Sequence, residues 1–532
     1  MAITAVAEQR HPDKSVLVLG RWAGLLPSLS DAAFLIPIIV FFSCTTGVKW
    51  LLGDSDTGWH IRTGEWILKN HQVPATDLFS FTKSGQPWFA WEWLSDLGMG
   101  WLHSHGGLPA IVFASFVVLC TTSLVLYRTT AAESGHRLVS FLLTWLATGA
   151  ATAHWLARPH LITPLMAGLF CCVLNRVEHG NRRLLLALPA LTVFWVNLHG
   201  GFFVGIVLVA TYGVATAGEQ LLHIGRQDGW TRTRLYGLTA ATCVLASRLN
   251  PYGYYLHLHV LKYLSSPFYL QYISEFRPVD FEWQSAAYFE TLLVLASSAA
   301  VWNLGKGRLV HVLLPLSWAH LALLSARNLP IFAVVSLPGT ALAVSEWMAC
   351  AQDRWRATPM GAAAKAFAEV ENDLASITSR IGARAALAPA LGVIVLGVLL
   401  AHPGRMSKLR AEFDPTQFPV QAASVVEHES GSATKLFCSW QWGGYLIYRA
   451  WPAIKVFNDG RTDFYGTAFV KEGLRAWQAA PDWSNILARN GVTAALLPVD
   501  SALASVLRER RDWKLVYQDQ VAVLFQKSED VK

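Results

Sequence analysis

Residues 33–60 read AFLIPIIVFFSCTTGVKWLLGDSDTGWH, an apolar run that ends in a short acidic cluster. The apolar run, 33–52, is long enough to cross a bilayer. It follows a polar, basic segment and has no small-residue cleavage site after it, so we interpret it as a retained signal anchor. The acidic cluster then places two carboxylates, Asp54 and Asp56, directly outside the membrane.

The composition is that of an integral membrane protein. Of 532 residues, 53% are hydrophobic and 15% are charged, whereas soluble domains carry roughly 25% charged residues. The 23 tryptophans are typical of proteins that contact lipid headgroups. Basic cytoplasmic loops account for the net charge of +7, and we expect no nucleic-acid partner. The seven cysteines form no CxxC pair, which argues against a disulfide framework or a zinc site.

Hydropathy predicts a polytopic α-helical membrane protein of about eleven spans. The predicted spans are 33–52, 106–127, 138–155, 160–176, 184–197, 200–221, 235–249, 287–304, 309–325, 329–349 and 385–402. Basic residues concentrate in every second connecting loop, and the positive-inside rule assigns those loops and the N-terminus to the cytoplasm. This predicts a cytoplasmic segment 1–32, a transmembrane domain 33–402 and an extracytoplasmic domain 403–532. The transmembrane domain includes a first outer loop, 53–105, and a cytoplasmic amphipathic segment, 352–384.

The domain 403–532 has the composition of a soluble domain. Short strands are predicted at Lys435–Cys438, Ile454–Phe457, Thr493–Leu497, Lys514–Tyr517 and Val521–Phe525. Helical patterns lie between most of them, at 442–450, 467–478, 482–490 and 501–510. This alternation predicts a small α/β sheet.

In the first outer loop, apolar residues recur at near-helical spacing over 56–69 and predict a short helix lying flat on the membrane. Asp54 and Asp56 stand at its start, where either carboxylate could simply cap the helix. The alternative is that one of them is a general base, and that the two share a divalent cation such as Mg²⁺ or Mn²⁺. Partial desolvation at the membrane would raise the pKa of such a carboxylate, which suits a base.

Further ionisable residues are predicted on the same side of the membrane. The candidates for substrate binding are His60, Arg158, His160, His199, Arg248, Glu275 and Arg327. Turn formation and snorkelling to the headgroups explain each of them individually. Ionisable groups at membrane depth are nevertheless costly and usually functional, and arginine binds phosphate through two parallel hydrogen bonds. Their accumulation on one face therefore predicts a shared anion site.

Two motifs of the C-terminal domain, WQWGGYL at 440–446 and NDGRTD at 458–463, follow predicted strands. Ligand sites of α/β sheets lie at the carboxyl ends of strands. The residues considered for acceptor binding are Trp442, Tyr445, Asp459, Arg461 and Asp463. The alternative is that both motifs form tight turns that dock the domain onto the membrane part.

Taken together, the strings DSDTGWHIRTGEWIL, GQPWFAWEWL, ARPH, NLHGGF, NPYG, WGGYL and NDGRTDFYG resemble a bacterial group of GT-C class integral-membrane glycosyltransferases. The resemblance covers most of the chain. It implies a GT-C-like fold in the bacterial plasma membrane, with the C-terminal domain outside. It also implies transfer of a sugar from a polyprenyl-phosphate carrier to an extracytoplasmic acceptor, which could be a glycan, a lipid or a protein.

The resemblance further implies roles for individual residues. Asp54 or Asp56 would be the base that activates an acceptor hydroxyl, and Glu275 would be a second acidic group. The carrier phosphate would be held by Arg158, His199, Arg248 and Arg327. The W-W-D motif of oligosaccharyltransferases is missing from the sequence, so protein N-glycosylation is not expected.

Three other functions compete with this interpretation. A polymerase or ligase that uses polyprenyl-diphosphate-linked glycans would rely on Arg and His without an acidic base. A lipid or solute transporter would place polar residues near the middle of the bilayer on broken helices. A non-catalytic scaffold would use the outer domain to bind partners.

Overall fold

The structure is a computed structural model that describes residues 27–283, 285–381, 387–429 and 434–528. Most of the predicted cytoplasmic segment 1–32, and the end of the predicted segment 352–384, lie outside these residues.

The membrane part is helical. Its helices within the described residues are α1 (Leu29–Cys44), α2 (Asp56–Asn70), α3 (Trp93–Ser134), α4 (Arg137–Ala151), α5 (Ile162–Glu178), α6 (Ala187–Leu198), α7 (Phe203–Leu221), α8 (Gly229–Ala246), α9 (Tyr255–Leu264), α10 (Pro267–Tyr272), α11 (Ala286–Gly305), α12 (Val310–Leu324), α13 (Leu329–Arg354), α14 (Pro359–Ile381) and α15 (Leu387–Ala401). Each predicted span overlaps one of these helices, so the predicted polytopic helical class is confirmed.

Among the described residues, five helical segments are long and apolar enough to cross a membrane by length and composition. They are Trp93–Ser134, Pro159–Glu178, Gly200–Leu221, Ala286–Gly305 and Ala326–Arg354. Helices α1, α12 and α15 are apolar but shorter. The count of eleven crossings therefore stays a prediction.

The boundaries of the first outer loop differ from the prediction. Helix α1 ends at Cys44 rather than near residue 52, and the chain then turns at Gly47, which has a φ of 111°. Helix α3 already begins at Trp93, and Gly107 interrupts it with a φ of 61°. Glycine tolerates these left-handed conformations, which other residues rarely adopt. The kink at Gly107 divides a membrane-spanning part of α3 from a shorter part at the predicted outer face.

The predicted cytoplasmic loops meet at the end of the bundle away from the acidic cluster. Glu371 of α14 accepts hydrogen bonds from the backbone N–H groups of Arg137 and Leu138, both at 2.7 Å. Its carboxylate thereby satisfies the free N–H groups at the start of α4. His311 of α12 bonds Glu133 of α3 at 2.9 Å at the same end.

The C-terminal domain contains the predicted small α/β sheet. Its helices are α16 (Val420–Glu429), α17 (Trp440–Ala450), α18 (Thr462–Tyr465), α19 (Thr467–Trp477), α20 (Trp483–Arg489) and α21 (Ala502–Arg508), and its strands are β1 (Lys435–Cys438), β2 (Lys455–Val456), β3 (Ala494–Pro498), β4 (Trp513–Gln518) and β5 (Ala522–Lys527). The strand order is β2-β1-β3-β5-β4, with parallel pairs around β1 and antiparallel pairs around β5. All five predicted strands are found.

Helix α2 is enclosed by protein on two sides. The sequence analysis predicted instead that it lies flat on the membrane surface. Gly64 packs against Gly100 of α3, and Gly58 packs against Gly444 of α17. A Cβ atom at any of these positions would overlap backbone atoms of the facing helix. The glycines therefore bring the backbones together and clamp α2 between the membrane helices and the C-terminal domain.

The α2–α17 contact leads to a first prediction. Gly444→Ala is expected to destabilise the protein by about 1–3 kcal/mol, because its Cβ would overlap the carbonyl oxygen of Ser55. Gly98→Ala is the matched control, since a Cβ at this helical position meets nothing within 4 Å. Thermal unfolding of the detergent-solubilised variants provides the measurement. Equal melting temperatures for the two variants would contradict the proposed contact.

Candidate active site

A cavity of about 490 Å³ lies between the membrane helices and the C-terminal domain. The predicted site residues that line it are Asp56, His60, Arg158, His160, His199, Glu275, Arg327, Arg461 and Asp463. Apolar side chains from α3, α4, α12 and α13 also line it, including Leu119, Ala147, Leu321 and Val334. The cavity thus combines a polar cluster with an apolar pocket between helices.

The acidic pair that follows α1 is bound by one arginine. Arg158 Nη1 lies 2.6 Å from Asp54 Oδ2, and its Nη2 lies 3.3 Å from Asp56 Oδ2. Asp54 Oδ1 also accepts a hydrogen bond of 2.8 Å from the backbone N–H of Asp56, the first residue of α2. A further hydrogen bond joins the acidic segment to the segment of Arg158. Thr57 Oγ1 donates to the carbonyl oxygen of Ala157 at 3.1 Å.

Asp56 is the carboxyl group best suited to accept a proton. Burial and, after it, the neighbouring charge of Asp54 raise the pKa of Asp56 to about 7, although Arg158 opposes the shift. Gly460 of the C-terminal domain lies directly against this carboxylate, because a Cβ there would overlap Asp56 Oδ1. A carboxylate that is partly ionised near neutral pH matches the requirement for a general base.

A second ion pair lies across the cavity. Glu275 Oε1 is 4.0 Å from Arg327 Nη1, and its Oε2 is 4.0 Å from His154. Burial alone would raise the pKa of Glu275, but the charges of Arg327 and Arg158 lower it to about 2. Glu275 is therefore ionised at neutral pH and acts as a counter-ion rather than a proton carrier.

His60 and His199 are neutral hydrogen-bonding groups of the cavity. Burial, reinforced by nearby arginines, lowers the pKa of His199 to about 3 and that of His60 well below its ordinary value. His60 Nδ1 lies 2.6 Å from Asp96 Oδ1, and His199 Nδ1 lies 2.6 Å from Thr163 Oγ1. These side chains can hold a ligand by hydrogen bonds, but they contribute no positive charge at neutral pH.

The NDGRTD motif reaches the cavity from the C-terminal domain. Arg461 Nη2 bonds Asp77 at 2.8 Å and Asp459 at 2.7 Å, and the guanidinium lies 4.6 Å from the centre of the Trp88 ring. Asp463 accepts a hydrogen bond of 3.2 Å from Trp91 Nε1. The soluble domain therefore contributes side chains to the same site as the membrane helices.

Solved structures share this architecture. The chain matches the apo oligosaccharyltransferase of Archaeoglobus fulgidus with a TM-score of 0.51 and 12% identity, over 94% of this chain and 74% of that one. It matches AglB from the same organism, in complex with an inhibitory peptide and a dolichol-phosphate, with a TM-score of 0.53 and 13% identity, over 97% and 75%. The chain has the GT-C fold. No family model and no curated protein matches its sequence.

ArnT from Cupriavidus metallidurans bound to undecaprenyl phosphate is also matched, with a TM-score of 0.43 and 14% identity, over 98% of this chain and 99% of that one.

Five predicted residues do not line the cavity of this GT-C fold. Asp54 is one of them, although it pairs with Arg158, which does line it. Arg248 is exposed in the turn after α8, where Asn250 bonds the backbone and directs the chain away. Trp442 and Tyr445 are buried in the core of the C-terminal domain, and Trp442 Nε1 donates to the carbonyl oxygen of Gln417 at 2.9 Å. Asp459 instead holds Arg461. Trp442 and Tyr445 therefore pack in a buried apolar cluster and do not face the cavity.

Several cavity residues were missed by the sequence analysis. They are Glu92, Asp96, His154, His259 and Tyr263. Glu92 is the one charged residue in the aromatic string PWFAWEWL, which could have drawn attention to it. His259 stacks on Trp91 with 3.7 Å between ring centres and lies 3.2 Å from Asp463.

Proposed function

We propose that this protein is a membrane glycosyltransferase that moves a sugar from a polyprenyl-phosphate carrier to an extracytoplasmic acceptor. The observation that carries the proposal is the convergence of Asp56, Arg158 and Arg327 on one cavity that also has an apolar pocket between helices. A protein of the same fold, AglB, is complexed with a dolichol-phosphate. The chemistry of the cavity matches such a ligand, since it offers cations for a phosphate and an apolar pocket for a lipid chain.

The proposed reaction is a direct displacement at the anomeric carbon. Asp56 takes the proton of the acceptor hydroxyl as its oxygen attacks, and the bond between the sugar and the phosphate breaks. Negative charge grows on the departing phosphate, and preorganised Arg158 and Arg327 stabilise it. Arg158 Nε and Arg327 Nη1 are buried without a hydrogen-bond partner among the described residues, as expected of side chains that bind an absent anion.

The other groups of the cavity position these residues and the substrates. Glu275 keeps Arg327 in place without competing for the proton, since its low pKa holds it ionised. Arg461 and Asp463 belong to the domain that we place outside the bacterial plasma membrane, and they would contact the acceptor. The helix ends that surround the cavity would then lie at the extracytoplasmic rim, with the N-terminus in the cytoplasm.

A divalent cation on Asp54 and Asp56 does not fit the observed cluster. The two amino groups of Arg158 already contact both carboxylates. In the described parts of the chain, moreover, no three or more Asp, Glu, His or Cys side chains group as metal ligands. The proposed reaction therefore takes its positive charge from Arg158 and Arg327.

Chelation provides a second prediction. Transfer activity is expected to survive EDTA, because Arg158 supplies the positive charge between the two carboxylates. The measurement is sugar transfer by the purified full chain after dialysis against EDTA, with and without added Mg²⁺ or Mn²⁺. Loss of transfer that either ion restores would overturn this expectation.

The function itself is tested by mass spectrometry of lipid-linked sugars and envelope glycans in a deletion strain. We expect one polyprenyl-phosphate sugar to accumulate and one glycan modification to disappear, with recovery by the wild-type chain but not by Asp56→Asn. An unchanged profile under conditions of expression would reject the enzyme. Recovery by the double variant Asp54→Asn/Asp56→Asn would favour the diphosphate-dependent polymerase or ligase, which needs no acidic base.

A further inference from the structure

Glu92 is a cavity carboxyl whose contacts differ from those of the acids already described. It directly precedes α3 and lines the cavity. Its Oε1 lies 3.3 Å from His199 Nε2, and its Oε2 lies 3.7 Å from His60 Nε2. Asp54, Asp56 and Glu275 each have an arginine within 4.0 Å, whereas Glu92 is flanked by two histidines that are neutral at neutral pH.

The hydrogen bonds of His199 determine which oxygen of Glu92 can carry a proton. The backbone N–H of Gly201 donates to His199 Nδ1 at 3.0 Å, so Nδ1 is an acceptor and the imidazole proton is on Nε2. His199 Nε2–H therefore faces Glu92 Oε1. Oε2 is left for the acid proton, and its 3.7 Å distance to His60 is too long for a hydrogen bond. The Glu92 carboxyl also accepts a hydrogen bond from the backbone N–H of Gly200, and a protonated Oε2 can still donate its proton to a ligand in the cavity.

Glu92 also lies within the field of the groups proposed to bind phosphate. Burial raises the pKa of Glu92 to about 7. The charge of Arg158, a hydrogen bond from the backbone N–H of Gly200 and the charge of Arg327 oppose this shift, and the charge of Asp463 adds to it. The ionisable groups that face it from the surrounding elements are His60, Asp96, Arg158, His199, Arg327 and Asp463. A carboxylic acid beside two phosphate-binding arginines is well placed to give a proton to a leaving phosphate.

We infer that Glu92 is the general acid of the transfer and protonates the departing phosphate oxygen. This rests on the proposed function. The electron pair of the broken bond stays on the phosphate oxygen, which receives the Glu92 proton, while the acceptor oxygen bonds the anomeric carbon and loses its proton to Asp56. One turnover leaves Glu92 ionised and Asp56 protonated, and exchange with water after product release restores both.

The energetics favour this transfer. The second pKa of a phosphate monoester is about 6, close to the pKa of about 7 of Glu92. Proton transfer between groups of similar pKa needs little driving force and adds typically 10²–10⁴-fold to a rate. The proton also removes one of the two negative charges that the arginines would otherwise have to balance alone.

The proposed role of Glu92 can be tested without the sugar by measuring how undecaprenyl phosphate binds. This lipid is the carrier product that the proposed transfer would release. The full chain in detergent is titrated with undecaprenyl phosphate between pH 6 and pH 8.5. Affinity of the wild type is expected to fall above pH 7, by at most about tenfold per pH unit for each titrating group, because ionised Glu92 repels the phosphate. Glu92→Gln is expected to flatten this dependence, since its amide donates at every pH.

Asp56 titrates in the same range and needs its own control. Asp56→Asn alone should retain the fall in affinity that is due to Glu92, and Asp56→Asn/Glu92→Gln should lose it. In transfer assays, Glu92→Gln is expected to lower kcat by about 10²-fold or more while affinity for undecaprenyl phosphate at pH 6 stays unchanged. If Glu92→Gln fails to fold, Glu92→Asp serves as the second variant. It keeps a carboxylic acid at this position and should therefore retain the pH dependence of binding.

The outcomes separate the two proposals. Suppose that undecaprenyl phosphate binds and that Asp56→Asn/Glu92→Gln shows the same pH dependence of affinity as Asp56→Asn. The proposed role of Glu92 is then refuted, while the proposal of a polyprenyl-phosphate carrier is not. If no variant binds undecaprenyl phosphate at any pH, the polyprenyl-phosphate carrier is refuted, and the role of Glu92 with it.

Discussion

Asp56→Asn is expected to lower the turnover number of sugar transfer by about 10²–10⁴-fold, the usual contribution of a general base. Asparagine keeps the size of the side chain but cannot accept the hydroxyl proton. In the wild type the rate should fall as the pH drops through about 7, because the base must be ionised. Transfer by the purified chain across pH 5.5–8 gives the measurement, and the residual activity of Asp56→Asn should lack this acidic limb.

Asp54→Asn is the matched control for the base. The charge of Asp54 is one of the causes that raise the pKa of Asp56. Removing that charge should lower the pKa of Asp56 and move the acidic limb to lower pH, with less loss of turnover. If Asp54→Asn abolished transfer while Asp56→Asn retained it, the roles of the two carboxylates would have to be exchanged.

Arg158→Met is expected to destabilise the fold by about 3–5 kcal/mol, the usual cost of removing one partner of a buried ion pair. The side chains of Arg158 and Asp56 are only 21% and 12% exposed, so water can replace little of the lost interaction. Loss of Arg158 leaves two carboxylates facing each other in the cavity wall. Because Arg158 lowers the pKa of Asp56, its loss raises that pKa in the folded state, and the destabilisation should grow as the pH rises.

Thermal unfolding of the detergent-solubilised variants measures this effect. Arg248→Met is the matched control, because Arg248 was a predicted phosphate ligand but is exposed and outside the cavity. Its change in stability should stay within about 0.5 kcal/mol. Arg158→Met/Asp54→Asn should recover part of the loss, since it removes one unpaired charge. Equal melting temperatures for the two single methionine variants would show that the ion pair contributes nothing.

Local patterns in the sequence were sufficient for the secondary structure. The apolar runs predicted the helices of the membrane part, and the five short strands of 403–532 were found at the predicted places. Hydropathy and strand alternation report on neighbouring residues, so they need no knowledge of the fold. The ends of α1 and α3 were missed, because the turns at Gly47 and Gly107 depend on backbone conformations that the apolar pattern does not encode.

The sequence also determined the chemical inventory of the site: an acidic pair after the first apolar run, and arginines and histidines at the corners of one face. Only the tertiary structure decided which of these side chains meet. Arg158 reaches Asp54 and Asp56, Arg461 and Asp463 enter the cavity from a separate domain, and Arg248 stays outside it. The physical reason is that pKa values and charge pairing depend on burial and on distances between residues far apart in the chain, here set by the glycine contacts that clamp α2.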